Sequence, residues 1–108
     1  MTAQAGELWV ADITFTNGTA SKRRPVLVLW VDGADVVVAA VTSSAPRTQA
    51  DVLLQDWATD RLRLPSTVRL SRLDCLEQTL LLHRLSTVAP ADATVLRSVW
   101  DQYIKPQF

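Results

Sequence analysis

Residues 24–42, RPVLVLWVDGADVVVAAVT, decide the fold. They contain two apolar runs rich in β-branched side chains, which is typical of strands that are covered on both faces. Pro25 opens the first run, a position at which a strand tolerates proline. Asp32-Gly33 separates the runs and indicates a hairpin turn. We therefore predict an antiparallel strand pair whose second strand ends at Thr42.

The chain before this hairpin predicts one more strand and a loop. Residues 8–15 alternate so that one face carries Trp9, Ala11, Ile13 and Phe15, and the other face is wetter. Residues 16–23 are polar, contain a glycine and show no periodicity, so we predict a loop there.

The chain after the hairpin predicts shorter elements and one helix. We expect a loop at residues 43–50, a short strand at 51–54, a loop or single helical turn at 55–64 and another strand at 66–70. Residues 76–85 fit the strand and helix periods equally well. A helix then begins at Pro90, carries Asp92 in its first turn and ends before Pro106.

Short, closely spaced strands with one terminal helix predict a β-dominated α+β fold. The expected architecture is a small, strongly bent antiparallel sheet or partly open barrel, closed by that helix. The chain has 108 residues, of which 48% are hydrophobic and 20% are charged, so we expect residues 1–108 to form a single domain with its own core.

The composition excludes several classes of site. Three glycines leave no phosphate-binding glycine loop or dinucleotide fingerprint. The single cysteine, Cys75, excludes an internal disulfide, and we expect it to be a small buried side chain. The single histidine, His83, lies in a leucine-rich segment, where we expect a structural or interface role. We therefore predict no metal and no cofactor.

No apolar run is long enough to cross a membrane, and the first residues lack the features of a signal peptide. We therefore expect a cytoplasmic protein.

The remaining chemistry is cationic. Eleven Lys and Arg balance eleven Asp and Glu, so an anionic partner must bind a local patch. The densest basic group, Lys22-Arg23-Arg24, immediately precedes Pro25. Because antiparallel pairing brings the start of one strand beside the end of the next, Arg24 and Thr42 should lie at the same sheet edge. A guanidinium and a hydroxyl there would make an anion site, although a solvated basic loop beside a strand-ending threonine is the plainer alternative.

The sequence contains several short motifs in an order that resembles that of the MazF/PemK/Kid toxins. The resemblance is carried by GELWVAD at residues 6–12, Gly18 in a loop, RPVLVL at 24–29, AAVTSS at 39–44, RLSTV at 84–88 and the terminal amphipathic helix. It covers nearly the whole chain. It implies an SH3-like or CcdB-like barrel with a C-terminal helix, and a toxin of a type II toxin–antitoxin pair that arrests growth as an endoribonuclease, or mRNA interferase.

The resemblance also implies a site and partners. Arg24 and Thr42 match the catalytic arginine and threonine of the family. The candidates for contacts with RNA are Gly18, Lys22, Arg23, Ser43, Ser44 and Arg47, which we expect in the flanking loops. The implied partners are single-stranded RNA, an acidic cognate antitoxin and a second copy of the chain. Trp30, the leucines at 80–82 and the helix face are candidate dimer surfaces, unless those leucines fill one core.

The chain departs from the family pattern at several positions: Ser86 stands where glycine is common, Arg23 makes the segment before Pro25 more basic than usual, and a loop acid is missing. Family members often carry a glutamate between the loop glycine and the Arg-Pro pair, and residues 19–23 contain none. Cleavage that uses the 2′-OH of RNA as nucleophile would still need no metal and would leave 2′,3′-cyclic phosphate and 5′-OH ends. Two alternatives are a CcdB-like, non-enzymatic poison of DNA gyrase and a catalytically silent module that binds RNA or antitoxin.

Overall fold

A computed structural model describes residues 2–14 and 21–108. Its six strands are β1 (Glu7–Thr14), β2 (Ser21–Asp32), β3 (Asp35–Thr42), β4 (Asp51–Leu53), β5 (Thr67–Glu77) and β6 (Leu81–Thr87). They form one antiparallel sheet in the order β4-β5-β3-β2-β1-β6, which does not close into a barrel within the described residues. One C-terminal helix, α1 (Pro90–Val99), follows the last strand. The predicted β-dominated α+β fold is confirmed.

The central hairpin has the predicted turn. Asp32 pairs with Asp35, so the turn contains only Gly33 and Ala34. Gly33 has a φ of 62°, as the first position of a type II′ turn requires, and glycine adopts it without a steric penalty. The prediction that Pro25 opens the strand was wrong, because β2 starts at Ser21 and pairs with β1 from there. Pairing with β3 starts one residue after the proline, at Val26.

Strand β1 shows the predicted alternation on one face. Trp9, Ala11 and Ile13 pack in the same apolar cluster, whereas Phe15 lies outside the described residues. The expectation of a wetter opposite face was wrong at the start of the strand, because Leu8 is fully buried there in a second cluster. The sheet therefore has an apolar cluster on each of its two faces.

The two clusters and the later strands follow the sheet in different ways from the predicted pattern. One cluster lies between the sheet, which includes β4, and α1, and it contains residues such as Val68 and Leu96; the other lies around Trp9 and Val28. Strand β5 runs past the predicted end at residue 70 to Glu77, with a register shift against β3 between Ala39 and Ala40. A 3₁₀ turn (Gln78–Leu80) then leads into β6, so the ambiguous segment 76–85 is mostly strand.

The helix begins at Pro90 as predicted and continues from Trp100 to Ile104 as a π-helical turn, before Pro106. The N–H of Lys105 donates to the carbonyl of Trp100 at 3.0 Å and ends it. Leu96 packs in the core, but Val95 and Tyr103 are exposed. The helix therefore buries only part of its apolar surface within the described chain.

Cys75 is exposed on β5, so the prediction of a buried thiol was wrong. It lies opposite Val37 in the second half of the strand, where Leu73 is also exposed, so its leucine neighbours do not mark a core position. Within residues 2–14 and 21–108, no helix has the length and apolar character needed to cross a membrane.

Candidate functional site

A cleft of about 730 Å³ opens where β2 begins and β3 ends. Arg24 and Thr42 both line it. The strand register explains their proximity, because Val26 pairs with Ala40, and two more residues along each strand bring Arg24 opposite Thr42. The prediction that these two residues meet at one sheet edge is confirmed.

The predicted RNA-contacting residues divide into two groups. Arg23 and Ser43 line the cleft with Arg24 and Thr42, whereas Lys22, Ser44 and Arg47 are not part of its lining. Gly18 lies outside the described residues. The prediction that Lys22 and Arg23 belong to a loop was wrong, because they pair with Ile13 and Asp12 of β1. Lys22 and Arg23 therefore lie on β2 where this strand pairs with β1.

The hydroxyl of Thr42 has a defined local role. Its Oγ1 accepts the backbone N–H of Ser44 at 3.2 Å. This contact uses a lone pair of the oxygen and leaves the hydroxyl proton available to donate, since a threonine hydroxyl is both donor and acceptor. Thr42 can therefore donate a hydrogen bond to an anion in the cleft while its own turn holds it in place.

The loop after β3 is fastened at Asp51. The carboxylate of Asp51 accepts the backbone N–H of Arg47 at 2.9 Å and the Nε–H of Arg69 at 3.3 Å. Burial would raise the pKa of Asp51, but these hydrogen bonds and the Arg69 charge outweigh burial and lower it. Asp51 therefore positions the backbone of Arg47, which is exposed.

Sequence reasoning missed three cleft residues, namely Arg61, Arg63 and His83. His83 is exposed rather than packed, and it lies opposite Val10, which in turn lies opposite Pro25. Pairing of β1 with β6 across the chain therefore brings the histidine to the cleft, and no local motif signals this. The basic residues at 61 and 63 were visible in the sequence, but nothing local indicates which surface they face.

The charge of the cleft is positive. Four arginines line it, and no aspartate or glutamate is among its lining residues within the described chain. Outside the lining, Glu7 accepts hydrogen bonds from Gln4 N–H, Trp9 Nε1 and, at 2.7 Å, Arg84 Nε. Burial would raise the pKa of Glu7, but these bonds outweigh it and hold the pKa below its ordinary value. Glu7 thus secures β1 to β6.

Among residues 2–14 and 21–108, no three His, Cys, Asp or Glu side chains come together as metal ligands would. The guanidinium and hydroxyl groups that line the cleft can bind an anion.

Comparisons with known proteins identify the family and the fold. The family described as "PemK-like, MazF-like toxin of type II toxin-antitoxin system" matches residues 4–102. A sequence comparison with curated proteins returned no match.

Solved structures of similar shape include an "Endoribonuclease from Mycobacterial species", with a TM-score of 0.72, 17% identity and coverage of 92% of this chain and 88% of that one. A second is an "Endoribonuclease in complex with its cognate antitoxin from Mycobacterial species", with a TM-score of 0.72, 18% identity and coverage of 91% and 90%. MazF from Deinococcus radiodurans aligns with a TM-score of 0.71, 21% identity and coverage of 92% and 93%. These likenesses show a shared fold, and the match over residues 4–102 shows the family. The chain belongs to the PemK-like, MazF-like toxins of type II toxin–antitoxin systems.

Proposed function

We propose that this toxin is a sequence-specific endoribonuclease that cleaves single-stranded RNA, with Arg24 and Thr42 as its catalytic residues. The observation that carries the proposal is the position of these two residues in one cationic cleft. Proteins with the same fold are named as endoribonucleases, which supports the same activity here.

The proposed reaction uses the nucleophile that RNA itself provides. The 2′-OH loses its proton and its oxygen attacks the adjacent phosphorus, while the bond from phosphorus to the 5′ oxygen breaks and that oxygen gains a proton. The products are a 2′,3′-cyclic phosphate and a 5′-OH end. No bound metal is needed for the nucleophile, so the protein has to orient the phosphate and stabilise the charge that develops on it.

Arg24 and Thr42 divide this work. A guanidinium group is a cation and has no lone pair available to accept a proton, so the role of Arg24 is to stabilise the phosphorane oxygens. The Thr42 hydroxyl donates a hydrogen bond to the same phosphate, in the geometry that the Ser44 N–H maintains. The remaining predicted contacts hold the RNA on either side, and we assign them to Gly18, Lys22, Arg23, Ser43, Ser44 and Arg47.

The chain lacks the loop glutamate that family members often carry, and no carboxylate lines the described part of the cleft. We therefore assign the proton transfers to solvent in the cleft. This predicts slower cleavage than in a relative that retains the acid.

Two protein partners belong to the proposal. An acidic antitoxin segment would neutralise the cleft arginines, and one of the structures above is a complex with a cognate antitoxin. A second copy of the chain would cover exposed apolar side chains, among which Trp30 is 44% exposed and Leu82 43%. Light scattering at micromolar concentration should give the mass of a dimer. We place the activity in the cytoplasm, where the RNA and the antitoxin are made.

The test uses the purified protein with long single-stranded RNA in EDTA, and maps the 5′ ends of the products. Discrete cuts that persist in EDTA and disappear in Arg24→Ala would support the proposed reaction and give the recognition sequence. Thr42→Ala should also lose cleavage and growth arrest. If both variants cleave like the wild type, the assigned site is wrong.

Intact RNA after incubation with the folded protein would contradict the endoribonuclease. Two other functions would then be separated by further measurements. A gyrase poison would inhibit DNA gyrase and lose that effect when the chain is truncated after Tyr103. A silent module would bind RNA tightly and release no product over hours.

A further inference from the structure

The loop between β4 and β5 brings two arginines to the cleft that Arg24 and Thr42 line. Arg61 and Arg63 line the cleft, and both are exposed. Leu62 between them is buried in the core cluster, so the two arginines flank an anchored residue. Their position in the cleft lining is therefore set by core packing of Leu62 and not by a freely moving loop.

The backbone at Arg61 has a conformation that normally selects glycine. Its φ is 62°, and no other described non-glycine residue has a positive φ. The N–H of Arg61 donates to the carbonyl of Ala58 and the N–H of Leu62 to the carbonyl of Trp57, each at 3.1 Å. This pair of bonds is a Schellman motif, in which the left-handed residue is usually glycine. An arginine here is unfavourable for the backbone, which indicates a use for its side chain.

Buried carboxylates anchor the same loop. Asp92 accepts the N–H groups of Gln55 and Asp56 at 2.9 and 3.1 Å, and Asp60 accepts the hydroxyl of Ser86 at 3.0 Å. Asp60 and Asp92 are each 1% exposed. The loop is thus fastened to α1 and to β6, and Arg61 is held next to one of these anchors.

The cleft is larger and more cationic than one phosphate requires. Its volume of about 730 Å³ is in the range of pockets that enclose whole small-molecule ligands. Arg24 and Thr42 provide the donors for one phosphate, and Arg61 and Arg63 add two more guanidinium groups on a separate element. A ligand with several phosphates in succession fits this arrangement better than a single anion does.

We propose that Arg61 and Arg63 form a second phosphate subsite, which binds a phosphodiester flanking the one that is cleaved. This inference rests on the proposed ribonuclease function. The two arginines act as binding and positioning residues, because they hold the RNA strand in register while Arg24 and Thr42 contact the reacting phosphate.

The test exploits the unusual backbone at residue 61. Arg61→Gly removes the guanidinium and provides the residue that a left-handed position favours, so the variant should fold at least as well as the wild type. Arg63→Ala tests the second arginine. Arg72→Ala is the matched control, because Arg72 is exposed on β5 and outside the cleft lining. Thermal unfolding would confirm that each variant is folded.

Binding is measured with an RNA that carries 2′-deoxynucleotides at the mapped cleavage sites or, if no cleavage is found, with the unmodified RNA. Loss of one phosphate contact should reduce the slope of log K against log salt concentration by about 0.7 for a single strand. We expect this change, with affinity about tenfold lower, in Arg61→Gly and Arg63→Ala and not in Arg72→Ala. In cleavage assays, KM should rise and kcat should stay within about twofold, since the contact is made equally in ground and transition states.

The charge of the substrate provides an independent check. On an RNA with the mapped recognition sequence, in which the flanking phosphodiesters are replaced by uncharged methylphosphonates, the two variants should cleave as fast as the wild type. If Arg61→Gly and Arg63→Ala keep the wild-type salt slope and KM on long RNA, the subsite does not exist. If the wild type itself leaves RNA intact, the proposed function fails instead, and the binding assay still tests the subsite.

Discussion

The carboxylate of Asp92, in the first turn of α1, accepts the backbone N–H of Gln55 at 2.9 Å and of Asp56 at 3.1 Å. This relationship joins the helix to the start of the loop that carries Arg61 and Arg63. From the sequence, Asp92 is expected to interact with the positive end of its own helix. In the structure it accepts hydrogen bonds from the loop that follows β4.

Asp92→Ala should lower the free energy of unfolding by about 2 kcal/mol, because two partly buried N–H groups lose their acceptor. Urea denaturation measures this change. Asp101→Ala removes an exposed carboxylate from the following turn and should have little effect. Equal stabilities of the two variants would contradict the anchoring role of Asp92.

Thr42→Val should reduce kcat for RNA cleavage by about 10²-fold, since it removes a hydrogen-bond donor that is proposed to act on the reacting phosphate. Thr42→Ser keeps the hydroxyl and should retain cleavage within about tenfold of the wild type. Single-turnover rates on one mapped RNA site measure both variants. A serine variant as slow as the valine variant would show that the hydroxyl is not what matters at this position.

Asp60→Asn should stabilise the protein at neutral pH. Burial raises the pKa of the Asp60 carboxyl; the Ser86 hydrogen bond opposes this increase, and the charges of Asp92 and Asp56 add to it. Because the pKa of Asp60 is higher in the folded protein than in the unfolded chain, the folded state binds the proton more tightly. The contribution of Asp60 to the free energy of unfolding is therefore fully present below the unfolded pKa and is lost as pH rises through the folded pKa. Asn at position 60 does not ionise, so the variant avoids that loss. Its free energy of unfolding at pH 7 should exceed that of the wild type by on the order of 1 kcal/mol.

The measurement for Asp60 is urea denaturation of wild type and variant between pH 3.5 and 7. The gain should disappear toward the acid end, where the wild-type carboxyl is protonated in both states. Asp74→Asn, at an exposed position on β5, controls for loss of charge. A difference between Asp60→Asn and wild type that does not vary with pH would overturn the assignment.

Glu7→Gln should have the opposite pH dependence. The pKa of Glu7 is lowered because the hydrogen bonds from Gln4, Arg84 and Trp9 outweigh burial. The contribution of Glu7 to the free energy of unfolding is therefore present above the unfolded pKa and is lost as pH falls through the folded pKa. We expect the variant to be about 2 kcal/mol less stable than wild type at pH 7, and the deficit to shrink in acid.

Denaturant unfolding at several pH values measures the Glu7 effect. Glu77→Gln is the control, because Glu77 is exposed and its contact with the Thr79 hydroxyl is at 3.4 Å on the surface. If Glu7→Gln matches this control at pH 7, the contacts with Arg84 and Trp9 do not contribute to stability.

Local sequence signals predicted the elements whose structure depends on local physics. Apolar β-rich runs on both sides of Asp32-Gly33 made the central hairpin predictable, and Pro90 marked the start of α1. The hairpin also placed Arg24 at the same end as Thr42, since the two strands are antiparallel. The central pair of the candidate site could therefore be predicted from the sequence. The register was not predictable, because the pairing at the turn would bring Arg24 opposite Ser43, and an irregularity between Val28 and Trp30 shifts it to Thr42.

Other features depend on partners that are distant in the chain. Pairing with β1 turned Lys22 and Arg23 from expected loop residues into strand residues, and pairing of β6 with β1 brought His83 to the cleft. The exposure of Cys75 depends on which half of β5 faces a cluster, and its leucine neighbours do not reveal this.

The sequence by itself thus determined the hairpin, the terminal helix, the family resemblance and the placement of Arg24 and Thr42 at one end of the hairpin. Turn sterics, β-rich apolar runs and the helical spacing of apolar residues suffice for these features. Only the tertiary structure decided that Arg61 and Arg63 face the same cleft, because that depends on Leu62 packing in the core and on Asp92 and Asp60 anchoring the loop. Such contacts join residues far apart in the chain, and no local pattern encodes them.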